Sequence, residues 1–286
     1  MMAQPPNLSP AQADAAFRAH CLERDSTNLG LLRYRDYQGF LVTGQHSGTH
    51  WVKWMLSHAL AARYDVPPPR YYNNASSNDL IGHPKHPRQY TDLPRIASTH
   101  TIPPYALQWG WVRGLFPLPP YVVVVRNIPD VLISNYEKWR GSRYQVDFAT
   151  YVAGDPTSKA YVCDVWWYVH FLNRWGEVAG RFPQQTLVLK YEDFRDDPLA
   201  SLAKIDKQFG LGLGEAALAA GVSAGSKEIM AAHQDPSVEE RAVRPEGQGE
   251  AVFSDADRAL LQGILDRNLK HDFGYGYFDT PRGFQA

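Results

Sequence analysis

A glycine-containing corner between a predicted strand and a predicted helix is the first place where this chain could do chemistry. Residues 40–56 read FLVTGQHSGTHWVKWML: an apolar run, then small and polar residues, then a helical pattern. Such a corner presents free backbone N–H groups and the positive end of a helix dipole at one point, and that point binds phosphate. Gly44 and Gly48 allow an anion close to the backbone, while Ser47 and Thr49 can add hydroxyl donors.

This corner does not match the phosphate loop of nucleotide kinases. That loop reads GxxxxGK(S/T), whereas here the two glycines, Gly44 and Gly48, are one residue too close and Thr49 stands in place of the lysine. An ordinary strand-to-helix turn of small residues explains the same pattern. The corner alone therefore leaves an anion site and a plain turn open.

A second stretch, YVVVVRNIPDVLISNYEKWR, suggests another anion site. Arg126 follows an apolar run, Pro129 and Asp130 begin a predicted helix, and Ser134 lies one turn into that helix. In a parallel sheet, ligands gather beyond the carboxyl ends of the strands, so we expect Arg126 on the same edge as the first corner. Two anion sites on one edge indicate a ligand with two phosphate groups. Taken alone, an arginine at a strand end also fits a surface ion pair.

Along the chain, β-branched apolar runs alternate with helical patterns. This alternation predicts a parallel sheet that is covered by helices on both faces and that positions the residues named above. The fold class is α/β, a three-layer P-loop-like fold with about four to five strands. Predicted strands are residues 39–43, 95–99, 121–125 and 186–190, and predicted helices are 48–64, 129–140 and 158–180, with an N-terminal helix that Ser9 and Pro10 begin.

We predict one domain over residues 1–286, with no internal repeat and no low-complexity linker. Residues 1–35 form an N-terminal helical extension. The irregular stretches 66–94 and 233–253 are long for a compact domain, and long loops of this kind are typical of lids or binding loops.

Composition limits the classes of function. The chain has 286 residues, 44% of them hydrophobic, and Lys+Arg of 29 against Asp+Glu of 30 gives a net charge of -1. This balance argues against nucleic acid or a membrane surface as a partner, so any anion site must be local. Cys21 and Cys163 suggest neither a disulfide framework nor a zinc site. With no secretory signal and no apolar run long enough for a membrane span, we expect a soluble, cytoplasmic protein.

These motifs resemble a known family, the sulfotransferases that use 3′-phosphoadenosine 5′-phosphosulfate (PAPS). SGTHW (47–51) resembles the SGTTW core of their 5′-phosphosulfate loop, and RNIPDVLIS (126–134) resembles their 3′-phosphate motif RNPxDxxxS. LKYEDFRDDP (189–198) is similar to their YEDxxxxP segment, STH (98–100) stands where they carry a KTH-like histidine, and RPEGQGE (244–250) stands where they carry an RKGxxGD-like loop. The resemblance runs in order from about residue 38 to 270.

The resemblance implies PAPS as donor, the bisphosphate PAP as product, and no metal. It implies that Arg126 and Ser134 hold the 3′-phosphate and that Tyr191 borders the adenine pocket. It implies that Trp51 stacks on adenine, as an aromatic ring is suited to do. The remaining implied nucleotide-binding residues are Gln45, His46, Ser47, Gly48, Thr49 and His50 in the first loop and Arg244, Glu246 and Gly247 in the last.

His100 is the candidate general base. Sulfuryl transfer depends on positioning and charge stabilisation, with a base for the proton of the acceptor, and a histidine whose pKa is near neutrality suits that task. A histidine in a loop, bonded only to backbone, is the alternative.

The loop departs from the family because His46 replaces its lysine, and a neutral imidazole brings no fixed positive charge. Lys53, four residues beyond Thr49, is a candidate source of that charge, although an exposed helical lysine is the simpler interpretation. His46 and His50 could also suggest a metal pair, but no carboxylate follows at ligand spacing, so we predict no metal.

We predict transfer of a sulfuryl group to a hydroxyl, less readily an amine, of a small apolar or aromatic acceptor. Such an acceptor cleft could be lined by Phe148, Tyr151, Trp166, Trp167, Tyr168 and Phe171, unless these aromatics are simply helix core. The alternatives are a P-loop small-molecule kinase and a catalytically weak PAP-binding homologue. A homodimer is compatible with the sequence.

Overall fold

The computed structural model describes residues 5–27, 37–83, 89–116, 118–238 and 252–277. Its centre is a five-stranded sheet in which every pairing is parallel, in the order β2-β3-β1-β4-β5. The strands are β1 Gly39–Thr43, β2 Ile81–Gly82, β3 Ile96–Thr99, β4 Tyr121–Val125 and β5 Thr186–Lys190. The four predicted strands are confirmed, and the α/β fold class with them.

The fifth strand, β2, lies within residues 66–94, which were predicted to be a loop. It pairs Ile81 with Ile96 and Gly82 with Ala97 at the edge of the sheet. Two residues are too few to produce a periodic apolar signal, so this strand exists because β3 offers it a partner. The same stretch also contains a 3-10 helix, Ala75–Asn78.

Helices flank both faces of the sheet. They are α1 Pro10–Thr27, α2 Thr49–Tyr64, α3 Gly110–Leu115, α4 Ile128–Trp139, α5 Phe148–Ala153, α6 Val165–Arg181, α7 Tyr191–Asp196, α8 Pro198–Phe209, α9 Glu215–Ala224, α10 Lys227–Ala232 and α11 Asp255–Asn268. The predicted helices 48–64 and 129–140 are confirmed as α2 and α4. None of the described helices is both long and apolar enough to cross a membrane.

Alternating side chains of the central strands divide the core into two layers. Val123 and Val125 of β4 pack on one face with α4 and α6, while Val122 and Val124 pack on the other with α2 and α8. All five residues of β1 and of β4 are buried. Runs buried on both faces are typical of strands inside a parallel sheet.

The aromatic helix α6 starts later than predicted, at Val165 instead of residue 158. Asp164 caps it, because its carboxylate accepts the Trp167 N–H at 2.9 Å and the Asp155 N–H at 2.7 Å. The Asp155 carboxylate in turn accepts backbone N–H groups of Lys159 and Ala160, which organises residues 155–160 as a loop. Aspartates that bind nearby backbone compete in this way with helix formation.

The N-terminal helix α1 is fixed to α6 by buried charges. Asp25 contacts His170 Nε2 at 2.9 Å and Arg174 Nε at 3.0 Å. Of the predicted extension 1–35, the described part is therefore a helix docked on the domain. Of the predicted loop 233–253, residues 239–251 lie outside the described residues.

Candidate functional site

The corner after β1 contains two residues in the left-handed backbone conformation, which residues other than glycine rarely adopt. Gly48, which immediately precedes α2, has φ 77° and ψ 24°, and His46 has φ 59°. A Cβ on Gly48 would lie 2.6 Å from the Tyr191 ring, and a Cβ on Gly44 would lie 2.5 Å from the Tyr168 hydroxyl. Both glycines are therefore required by close approach, and Gly48 by its left-handed conformation as well.

The corner presents backbone donors without internal partners. The first intrahelical hydrogen bond of α2 joins the Val52 N–H to the Gly48 carbonyl at 3.0 Å. Within the described ranges, the N–H groups of Gly48, Thr49, His50 and Trp51 have no protein acceptor. These N–H groups lie at the positive end of α2, so the corner is suited to bind an anionic oxygen.

Arg126 comes from β4 and contacts the same corner. Its Nη1 donates to the carbonyl oxygen of His46 at 3.0 Å, and its guanidinium lies 4.5 Å from the centre of the Tyr191 ring. Its Nε is buried and has no hydrogen-bond partner in the part of the chain that the structure describes. Ser134, on α4, places its Oγ 3.2 Å from His46 Nδ1. The structure thus brings the corner, Arg126 and Ser134 together.

The Tyr168 hydroxyl contacts both the residues that follow β1 and those that follow β4. It lies 2.6 Å from Ser47 Oγ and accepts the Arg126 N–H at 3.0 Å. Tyr168 is fully buried. The sequence analysis left open whether Tyr168 lines an acceptor cleft or belongs to the helix core, and its complete burial fits the core. A tyrosine within a helical aromatic pattern carries no local signal for this contact.

The other aromatics proposed for the acceptor cleft are mostly helix core, the alternative that the sequence left open. Tyr151, Trp166 and Phe171 are buried, with at most 2% of their surface exposed. Trp167 stacks on Phe171 with ring centres 5.2 Å apart, and Phe148 packs against the same cluster. Packing on the sheet, and not a ligand, accounts for this pattern.

His100 directly follows β3 and faces the end of β1. Its Nδ1 lies 2.8 Å from the carbonyl oxygen of Thr43 and 3.3 Å from Thr43 Oγ1. A carbonyl can only accept, so Nδ1 carries the hydrogen and Nε2 of the neutral ring keeps its lone pair. Desolvation lowers the pKa of His100, and the charges of Lys138 and Lys53 lower it further. The hydrogen bond to the Thr43 carbonyl raises this pKa and offsets part of the decrease. As a whole residue His100 nevertheless remains exposed to solvent.

His46 and His50 have the same electrostatic character. Desolvation, followed by the charge of Lys138, lowers the pKa of His46 to about 3. Desolvation, followed by the charge of Lys53, also lowers the pKa of His50, whose Nδ1 donates to the Tyr72 carbonyl at 3.1 Å. All three imidazoles are therefore neutral near pH 7, and the corner itself provides no fixed cation.

Lys53 is buried, contrary to the simpler interpretation of an exposed helical lysine. Its Nζ donates to Ser77 Oγ at 3.4 Å and to Asn78 Oδ1, both in the 3-10 helix of residues 75–78. Burial lowers the pKa of Lys53 to about 8, while the Asp79 carboxylate raises it. Lys53 thus joins α2 to the segment 66–94.

Trp51 and Tyr191 form an aromatic wall beside the corner. Their ring centres lie 5.8 Å apart in an edge-on arrangement, and Trp51 Nε1 donates to the Gly225 carbonyl at 2.8 Å. Two further loop residues bond to the protein: Gln45 Nε2 donates to the Val162 carbonyl at 3.2 Å, and Thr49 Oγ1 lies 2.7 Å from Thr43 Oγ1.

Three of the predicted nucleotide-binding residues belong to the last loop of the sequence resemblance. Arg244, Glu246 and Gly247 lie outside the described residues. His46 and His50 bond to different partners, and in the described part of the chain no group of three or more His, Cys, Asp or Glu side chains could hold a metal ion. The sequence analysis missed Lys138, whose charge acts on all three imidazoles.

Comparison with known proteins gives a family and a fold. Residues 36–233 match the model of the sulfotransferase domain family. A mouse sulfotransferase, SULT7A1, complexed with PAP is similar in structure, with TM-score 0.56, 16% identity and coverage of 92% of this chain and 93% of that chain. So is retinol dehydratase in complex with androsterone and the inactive cofactor PAP, with TM-score 0.54, 15% identity and coverage of 89% and 87%.

Retinol dehydratase in a complex with retinol and PAP is also similar, with TM-score 0.51, 15% identity and coverage of 88% of this chain and 86% of that chain. No curated protein matches the chain significantly. At these identities the structural likeness shows the fold.

Proposed function

The chain belongs to the sulfotransferase domain family, and on that premise we propose that it transfers a sulfuryl group from PAPS to a hydroxyl of a small molecule. The observation that carries this proposal is the contact between Arg126 Nη1 and the His46 carbonyl at 3.0 Å. It joins two anion-binding elements on one edge of the sheet, as a ligand with phosphate groups at both ends of an adenosine requires.

The residues present fit such a donor. The N–H groups of residues 48–51 have no acceptor among the described residues, and the buried Nε of Arg126 likewise has none. Each is a donor that a bound phosphate oxygen would satisfy. We assign the 5′-phosphosulfate to the corner and the 3′-phosphate to Arg126 with Ser134, and the adenine to the wall of Trp51 and Tyr191. Arg244, Glu246 and Gly247 keep the role that the sequence resemblance gave them.

Bound PAPS supplies an activated sulfuryl group, whose bond to the 5′-phosphate breaks as a bond to the acceptor oxygen forms. The N–H groups of the corner stabilise the negative charge that the phosphate gains. His100 Nε2 accepts the proton of the acceptor hydroxyl, while the Thr43 carbonyl holds the Nδ1 hydrogen and fixes the tautomer. His46 contributes a hydrogen bond without a fixed charge.

The acceptor is proposed as a small apolar or aromatic molecule. Androsterone and retinol, named for the retinol dehydratase complexes, support this size class. Since most of the aromatics proposed for the cleft are core residues, the acceptor itself must be found by experiment.

Calorimetry with PAP and with ATP and Mg²⁺ tests the donor assignment. We expect PAP to bind and to be preferred over ATP with Mg²⁺, because the site offers two anion pockets and its first loop lacks the lysine of a nucleotide kinase. Preference for ATP with Mg²⁺ would support a kinase and contradict the proposal.

Turnover then separates an enzyme from a binding protein. Labelled PAPS is supplied with phenols, steroids, alkyl alcohols and sugars, and the wild type is compared with His100→Ala. The expected result is sulfate transfer by the wild type, a loss of about 10²- to 10⁴-fold in kcat for the variant, and unchanged PAP affinity. PAP binding without transfer to any acceptor would indicate a nucleotide-binding module.

A further inference from the structure

The segment 269–277, which follows α11, contacts the turn between β4 and α4. Neither the family match at residues 36–233 nor any motif singled out in the sequence includes this segment. The Tyr277 hydroxyl accepts the Ile128 N–H at 2.8 Å and donates to Asn127 Oδ1 at 3.2 Å. Tyr277 is buried, and its carbonyl accepts a hydrogen bond from Gln262 Nε2 of α11 at 2.7 Å. Tyr277 is thus held at its main chain, and its hydroxyl binds the first N–H group of α4.

A second tyrosine of the same segment contacts the turn through Glu192. The Tyr275 hydroxyl donates to Glu192 Oε2 at 2.7 Å, and Glu192 Oε1 accepts the Asn127 N–H at 3.4 Å. Lys190, at the end of β5, donates to the Gly274 carbonyl at 3.0 Å, and its ammonium lies 4.6 Å from the centre of the Tyr275 ring. The segment is therefore bonded to β5 and α7 as well as to the turn.

The turn after β4 differs from the corner after β1 in its backbone donors. The Arg126 N–H is bonded to Tyr168, so the N–H groups of residues 126, 127 and 128 all have protein acceptors. An anion must therefore be bound here by side chains, and the proposed function assigns the 3′-phosphate to Arg126 and Ser134. Arg126 begins the bonded turn, and Ser134 lies on the helix that follows it. The position of the turn consequently sets the position of both side chains.

We propose that Tyr277 is a positioning residue for the 3′-phosphate. Its hydroxyl fixes the start of α4, and this keeps Arg126 and Ser134 at one distance from the corner that receives the other end of the donor. The inference rests on the proposed function. Without the hydroxyl, the Ile128 N–H loses its acceptor, and because an unpaired buried donor is unfavourable, the turn shifts. Charge-assisted hydrogen bonds depend on geometry, so a displaced guanidinium binds phosphate less well.

Calorimetric titration of Tyr277→Phe with PAP and with adenosine 5′-phosphate, which lacks the 3′-phosphate, tests this role. PAP binding should weaken about fivefold, while binding of adenosine 5′-phosphate should change by less than about twofold. Tyr136→Phe is the matched control. It removes another buried tyrosine hydroxyl, which donates to the Val146 carbonyl at 2.9 Å, and it should leave both affinities unchanged.

A double-mutant cycle with Arg126→Gln separates positioning from a general loss of stability. If Tyr277 acts through Arg126, the effect of Tyr277→Phe on PAP binding should shrink to less than about twofold in the Arg126→Gln background. Full losses that multiply in the double variant would overturn the inference. Equal losses for both nucleotides, or no loss for either, would overturn it as well.

The outcomes also separate this inference from the proposed function. If the wild-type protein does not bind PAP, the proposed function fails and the inference fails with it. If the wild type binds PAP but the loss in Tyr277→Phe is not selective, only the inference is wrong. Urea unfolding without ligand shows which variants remain folded. Where Tyr277→Phe does not fold, Tyr275→Phe, which removes the hydrogen bond to Glu192, is titrated in its place and should show the same selective loss.

Discussion

Arg126 Nη1 lies 3.0 Å from the main-chain carbonyl oxygen of His46. The two residues belong to different strand ends, and they meet because β1 and β4 are neighbours in the sheet. The contact orients the guanidinium along the corner and against the Tyr191 ring. Its buried Nε, unpartnered among the described residues, then remains for a ligand.

Arg126→Gln should weaken PAP binding by about tenfold or more, since a hydrogen bond to a charged group contributes about 1.5–3 kcal/mol. Adenosine 5′-phosphate, which lacks the 3′-phosphate, should lose little affinity. Calorimetry with both nucleotides measures the difference, and Arg195→Gln on the exposed surface of α7 is the control. Equal losses for both nucleotides would show that Arg126 does not contact the 3′-phosphate.

Tyr168→Phe should destabilise the fold by about 1–3 kcal/mol, because it leaves the buried Ser47 hydroxyl and the Arg126 N–H without their partner. PAP affinity should fall severalfold as the corner loosens. Urea unfolding and calorimetry measure both effects. Tyr64→Phe removes a half-buried tyrosine hydroxyl for which the described residues provide no hydrogen-bond partner, and its stability should match wild type. Wild-type stability for Tyr168→Phe would contradict the structural role.

Gly48→Ala should strongly impair nucleotide binding while the protein stays folded. A left-handed backbone costs a residue with a Cβ about 1–2 kcal/mol, and the added methyl would meet the Tyr191 ring at 2.6 Å. The corner must therefore shift its N–H groups. PAP titration is the measurement. Gly180→Ala, where an added Cβ meets nothing within 4 Å, should bind PAP normally.

The pH profile of turnover should reflect His100. The neutral ring is the base, and because the surroundings lower its pKa, kcat/KM should fall only at pH values below the ordinary histidine value of 6.5. Measurement from pH 5 to pH 9 locates this acidic limb. His100→Gln should show the same loss of about 10²- to 10⁴-fold in kcat at every pH, without the acidic limb, while PAP affinity is kept. An acidic limb above pH 6.5 would contradict a histidine in this environment.

Acid should destabilise the protein partly through His46. The folded-state pKa of His46 is lowered from 6.5 to about 3. Between these values the unfolded chain binds a proton that the folded protein does not, so the free energy of unfolding decreases as pH falls below 6.5. Urea unfolding at pH 7.5, 6 and 5 should show a shallower decrease for His46→Gln.

Much of the fold was readable from the sequence because its signals are local. The YVVVV run predicted β4, which is buried on both faces, and Pro129 with Asp130 predicted where α4 begins. The start of α6 was missed although Asp164 offers a capping signal, and β2 was missed because two residues have no periodicity. The edge strand depends on pairing with β3.

The sequence by itself determined the strand-to-helix corner, the position of Arg126 at a strand end and the family resemblance, since each depends on residues close together in the chain. Only the tertiary structure decided that Tyr168 lies under the corner, that the Thr43 carbonyl fixes the tautomer of His100, and that Lys53 is buried against the 3-10 helix of residues 75–78. These contacts join residues far apart in the chain. They exist because parallel strands bring their carboxyl ends to one edge, where burial and neighbouring charges set each group's protonation.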